Sequence, residues 1–239
     1  MTYIGVENGT PWNAMGERVN AGTTVTGEDL WLGSATTIPT PASAGEQMYV
    51  VSDDAADTSA GTGVRTVQID YIDAAGDEKS TTVTMAGATP VALTPSNVRF
   101  VNDMYTLTVG SNGVAEGDIE IYKTGSPTTI YNMIKEGGNK SLVPHRMVPA
   151  GKKLVLDGWH AECSANDEVS VRIRSTDMNG VLIPGVFCFK GAAYLYRSTT
   201  SELVLNMTIP ALSIIKVSAW PLSSGGEFSC GWHGTLKDA

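Results

Sequence analysis

The stretch 63-GVRTVQIDYIDAAGDEKSTTVTM-85 decides the fold class. Side chains alternate across an extended chain, so Val67, Ile69 and Tyr71 share one face while Gln68 and Asp70 share the other. Val83 and Met85 again fall on a common face after the turn. The connection Asp73-Ala74-Ala75-Gly76-Asp77 is short, polar and contains glycine, so the two runs predict a β-hairpin.

The same period continues outward. Val169, Val171 and Ile173 alternate with Ser170, Arg172 and Arg174, and Leu203, Leu205, Met207 and Ile209 enclose Asn206 and Thr208. These read as half-buried antiparallel strands. Asn112-Gly113 and Asn179-Gly180 supply the positive φ that tight turns need. One segment, 127-PTTIYNMIKEGG-138, reads equally as one or two helical turns capped at Gly137-Gly138 or as a strand. Closely spaced strands with almost no helical periodicity predict an all-β, antiparallel β-sandwich or barrel.

Residues 1–45 have a different texture. The segment is rich in Gly, Thr, Pro and Ser and carries neither helical nor strand periodicity over a useful length. Its choices are a flexible tail or an extended N-terminal arm. Trp12, Leu30, Trp31 and Ile38 are costly to leave in water, which favours an arm anchored by those four on a neighbouring subunit. The expected organisation is an arm over 1–45, a sandwich block over 46–138 and a second block over 139–239, separate or part of one fold with the first.

The composition bounds the chemistry. With 239 residues, 42% of them hydrophobic, the chain can bury a sizeable core without disulfide staples. No stretch reaches the roughly 18 apolar residues of a membrane-spanning helix. The formal charge of −9, with bases scattered among more numerous acids, opposes binding to duplex DNA. The start, MTYIGVENGT, has no basic segment followed by an apolar one, so synthesis in a cytoplasm is expected. Three widely spaced cysteines, Cys163, Cys188 and Cys230, fit buried, reduced thiols.

Candidate chemistry is sparse. His160-Ala161-Glu162-Cys163 and Cys230-Gly231-Trp232-His233 together hold a nitrogen and sulfur set that zinc accepts, but residues three apart on a strand face opposite ways. His160-Ala161-Glu162 also matches half of the zinc deaminase signature, without the paired cysteines that complete it. A G-x-S-x-G elbow is absent, and neither an enzyme, a metal nor a cofactor is expected. The acidic turns at Asp53, Asp54 and Asp57 and at Asp73, Asp77 and Glu78 lack regular calcium-loop spacing and read as solvated loops. Trp159, Tyr194, Tyr196, Trp220 and Trp232 are the candidates for stacking on a sugar ring, against a role in the core or a subunit contact.

The run VVSDDAADTSAGTGVRTVQIDYIDAAGDEKSTTVTMAGATPVAL, followed by FVNDMYTLTVGSNGVAEGDIEIY, resembles virion structural proteins of tailed bacteriophages. The later RMVPAGKKLVLDGWHA resembles a strand-turn-strand segment of viral β-sandwich or jelly-roll subunits. The resemblance covers residues 46–239. It implies a non-enzymatic particle component, assembled in the host bacterial cytoplasm and located in the virion. Within that class the first expectation is a capsid decoration or cement subunit, a homotrimer that clamps the major capsid protein. The alternative is a tail, fibre or adaptor component that binds a glycan receptor.

Overall fold

A computed structural model describes residues 9–21, 27–164, 168–196, 200–221 and 226–239. In chain order its strands are β1 (Thr10–Ala21), β2 (Glu28–Asp29), β3 (Met48–Ser52), β4 (Val64–Asp73), β5 (Glu78–Thr84), β6 (Val91–Ala92), β7 (Val98–Val109), β8 (Ile119–Lys123) and β9 (Ile130–Ile134). They continue as β10 (Arg146–Met147), β11 (Lys152–Cys163), β12 (Glu168–Ser175), β13 (Asp177–Met178), β14 (Val181–Leu182), β15 (Cys188–Tyr196), β16 (Thr200–Ile209), β17 (Ile214–Pro221) and β18 (Gly226–Asp238). The described residues contain no helix, and 130–134 is a strand. All named pairings are antiparallel, as the alternating patterns require.

The hairpin that opened the sequence reading is formed by β4 and β5, with Val67 opposite Val83 and Ile72 opposite Glu78. Asp73 shapes its turn by accepting backbone N–H bonds from Ala75 and Asp77, and Gly76 takes a φ of 93°. Together β5-β4-β7 form one sheet and β6-β3-β8-β9 another. Met48, Val50, Val67, Ile69, Met104, Ile119 and Ile121 fill the core between them.

The remaining strands build a second sandwich from both ends of the chain. One sheet runs β1-β18-β11-β16; the other runs β10-β17-β12-β15, with β2 also paired to β17. β2 meets β17 at Ser218 and Ala219, Leu30 N–H donates to Val217, and β10 meets the same strand at Ile215 and Ile214. These pieces lie end to end along one edge of β17. They form a single strand position that the chain leaves after Leu30 and resumes at Arg146.

Counted as one strand, the split edge gives eight strands in two four-stranded sheets. The chain alternates between the sheets except at the β12–β15 pair, which is the double Greek key of a jelly roll. The β3–β9 sandwich is an insert within one strand of that jelly roll. In the jelly-roll core Trp159 lies in register with Trp232, and both pack with Phe228, Leu154, Leu156, Val171, Ile173 and Val217.

This topology corrects the expected arm. β1 pairs along its length with β18, from Thr10 opposite Leu236 to Arg18 opposite Phe228, so the N-terminal segment is a strand of the chain's own sheet. Its inward positions are the half-buried Trp12 and the buried Ala14, Gly16 and Arg18. A side chain added at Gly16 would run into the Pro144 ring and the Leu30 carbonyl, so only glycine lets β1 pass under the root of the insert. Arg18 is held by an ion pair with Glu28.

Candidate functional site

Three of the four expected arm anchors are consumed inside the chain. Leu30 sits in the jelly-roll core. Trp31 and Ile38 pack with Met133 and Val143 at the junction with the insert, and the Trp31 indole N–H donates to the Ala35 carbonyl at 2.8 Å. The exposures of Leu30, Trp31 and Ile38 are 0%, 1% and 4%, which leaves no surface to bury on a neighbour. Trp12 is half-buried and meets Trp232 edge to face at 5.5 Å. It borders a polar cleft of about 590 Å³ between β1 and the insert, lined also by Asn13, Asp70, Glu78, Asp103 and Arg146. Burial, reinforced by nearby Asp70, raises the Glu78 pKa. Asp103 is neutralised by Arg146 at 3.0 Å and Lys140 at 3.1 Å.

The sugar-binding candidates divide. Trp159 and Trp232 are core residues, and the Trp232 indole donates to the Pro144 carbonyl at 2.9 Å. Tyr194, Tyr196 and Trp220 instead share the outer face of the β10-β17-β12-β15 sheet. The register sets Tyr194 and Trp220 on either side of Ser170, and Tyr196 opposite Glu168. Arg172 and Phe189, which the sequence reading did not single out, complete this face. The Arg172 guanidinium lies 4.2 Å from the Trp220 ring centroid and 4.8 Å from that of Phe189, while its Nε donates to Ser170 Oγ at 3.1 Å. Tyr194 and Phe189 are 67% and 58% exposed.

The histidine and cysteine motifs do not converge. Cys163 and Cys230 point into the core, and burial pushes the Cys230 thiol up from its ordinary pKa. His160 and His233 stand on the outer side of the same sheet, the former over Gly231. Cys188, expected in the core, is half-buried on β15. Of the acidic turns, Asp57 is buried and accepts bonds from Val64 N–H at 2.6 Å, Ser52 Oγ at 2.6 Å, and the N–H groups of Glu116 and Gly117. It closes a loop and has no solvated face to offer a cation.

A buried charge cluster stands where the insert joins the jelly roll. Asp29 accepts from Lys216 Nζ at 2.9 Å, Ser218 Oγ at 2.6 Å and the Ile38 N–H at 2.9 Å, and Arg174 pairs with it at 3.3 Å. Burial works to raise the Asp29 pKa, but the surrounding cation and donors hold it below the ordinary carboxylate value. His145 is buried beside them, edge-on to Phe100, and neither ring nitrogen has a partner among the described residues. Burial drives its pKa down to about 3, with Lys216, Arg174 and Arg146 opposing the attraction of Asp29. The cluster fastens the insert: Asp29 precedes the interruption of the split strand, while His145 and Arg146 close it.

No protein-family model matches the chain, and no curated protein does. Among solved structures, it is similar to the top component of cowpea mosaic virus, naturally occurring empty particles, at 8% identity with 82% of each chain covered and a TM-score of 0.22. It is also similar to the Gx strain of infectious bursal disease virus, at 11% identity, 97% and 77% coverage and a TM-score of 0.23. T=1 particles derived from infectious bursal virus give 9% identity, 97% and 70% coverage and a TM-score of 0.26.

Proposed function

We propose that the chain is a non-enzymatic structural subunit of a virus particle, which works by assembling with copies of itself and with other particle proteins. The observation that carries this reading is the jelly roll whose split strand holds a whole second sandwich. Such a chain offers two rigid β bodies, joined by buried ion pairs, as surfaces for contact.

The finer form of the proposal is a decoration or cement subunit of a tailed-bacteriophage head, a homotrimer seated on the major capsid protein. The N-terminal anchors cannot be its clamp, because Leu30, Trp31 and Ile38 are already buried within the subunit. Contact then falls to exposed sheet faces. Exposed Tyr194 and Tyr196 on one strand also favour a second reading, a tail or adaptor component that receives a glycan. The test is to measure the copies of this chain in intact particles by quantitative mass spectrometry and imaging. A number matching the head lattice supports decoration, a small multiple of three or six supports tail or neck, and absence from particles refutes both.

A further inference from the structure

Charge is unevenly divided along the chain. Between residues 46 and 140 there are 13 Asp and Glu against 6 Lys and Arg, so the insert has a formal charge of −7 out of −9 for the whole. On the jelly roll, cations gather on the outer face of the β10-β17-β12-β15 sheet. There Arg174 and Lys216 are consumed by Asp29, and Lys190 by Asp177 at 2.9 Å. Arg172 is different: it is stacked on two rings and fixed through Nε, and among the described residues it forms no ion pair. Its outer donors are therefore held in place for a carboxylate.

The surroundings of Arg172 suit a protein partner. Phe189, Tyr194 and Tyr196 are 58%, 67% and 44% exposed, and β15, which carries them, is an edge strand with the sequence CFKGAAYLY and no acidic residue. Aromatic side chains grouped around a half-buried arginine are of the residue types that dominate interface energies. An uncompensated cation on an acidic chain also selects the acidic surface of whatever approaches, since complementary potentials set docking and register.

We propose that this face receives a second copy of the chain, and that what it receives is that copy's acidic insert. The contact joins two different surfaces, the aromatic face of one copy and the insert of the other. The proposal deepens the assembly reading above and rests on it for the claim that copies meet.

Sedimentation of the full chain, up to about 100 µM protein and across a salt series, tests it. Wild type is expected to self-associate and to weaken as salt rises. Arg172→Ala and Tyr194→Ser, each with an unchanged unfolding midpoint, are expected to raise Kd by at least about tenfold. Arg172→Lys, which keeps the charge and loses the fork, should fall between. Neutralising the exposed insert residues Asp77 and Glu136 together should weaken association comparably. Val204→Ser, on the other sheet, should change nothing. A wild type that stays monomeric overturns the assembly reading and this proposal together. Association indifferent to Arg172 and Tyr194 overturns the face alone, and association indifferent to the insert acids overturns the occupant. A monomer that binds an acidic polysaccharide through Arg172 gives the face to a glycan and also refutes the proposal.

Discussion

Acidification should weaken the fold through His145. In the unfolded chain the imidazole titrates near its ordinary 6.5, whereas burial among Lys216, Arg174 and Arg146 lowers the folded value to about 3. Between those values the unfolded state binds a proton that the folded state refuses. Stability is then fully present above pH 6.5 and falls with pH until the folded pKa is reached, by ~1.4 kcal/mol per pH unit. At pH 5 the loss amounts to ~2 kcal/mol, a large share of the marginal stability of a domain. Asp29 adds little to this loss in that window, because it is ionised in both states there; its lowered folded pKa costs stability in the same direction only as the pH falls through the ordinary 3.8. Replacing His145 by Phe suits a site already bordered by the rings of Phe100 and Phe187, and it leaves no hydrogen bond broken. Urea unfolding at pH 7, 6 and 5 is the assay. Wild type should lose ~2 kcal/mol across the series relative to His145→Phe. Equal pH slopes for the two proteins, or a His145 imidazole that titrates near 6.5 in the folded state, would refute the reasoning.

Other substitutions test the junction and the core. Trp31→Ala should cost about 3–5 kcal/mol in chemical unfolding, because it empties a fully packed site between the jelly roll and the insert. Asp29→Ala leaves Lys216 and Arg174 buried without their partner and should cost a similar ~3–5 kcal/mol, with Lys216→Met in the double variant recovering part of it. A thiol reagent should modify Cys188 first in the native protein, and Cys163 and Cys230 only on unfolding; rapid labelling of Cys230 would place it outside the core.

The hairpin and the strands of the second half were legible because each buries one face, and period two follows from that directly. β1 was not. After Trp12 its inward positions are small or charged: Ala14 is small, Gly16 passes beneath Pro144 and Leu30, and Arg18 is neutralised by Glu28. An apolar stripe cannot appear where close approach excludes large side chains. The split strand was hidden differently: its named halves, Glu28–Asp29 and Arg146–Met147, are two residues each, too short for any period. The charge cluster joins Asp29 to Lys216 across 187 positions, a pairing that only the folded sheet creates. On the outer face, Tyr194, Tyr196 and Trp220 were visible as aromatics. Their union with Arg172 and Phe189 depended on the β12–β15 register and its irregularity after Ile173.

Hydrogen exchange of the dilute, unassembled chain addresses the N-terminal strand most directly. If residues 12–18 belong to the subunit's own sheet, their ladder amides are protected to the same degree as those of 228–233 in the facing strand, at concentrations where no assembly forms. Rapid exchange of 12–18 in the free subunit, with protection gained only on assembly, would return this segment to a neighbour and break the jelly roll described here.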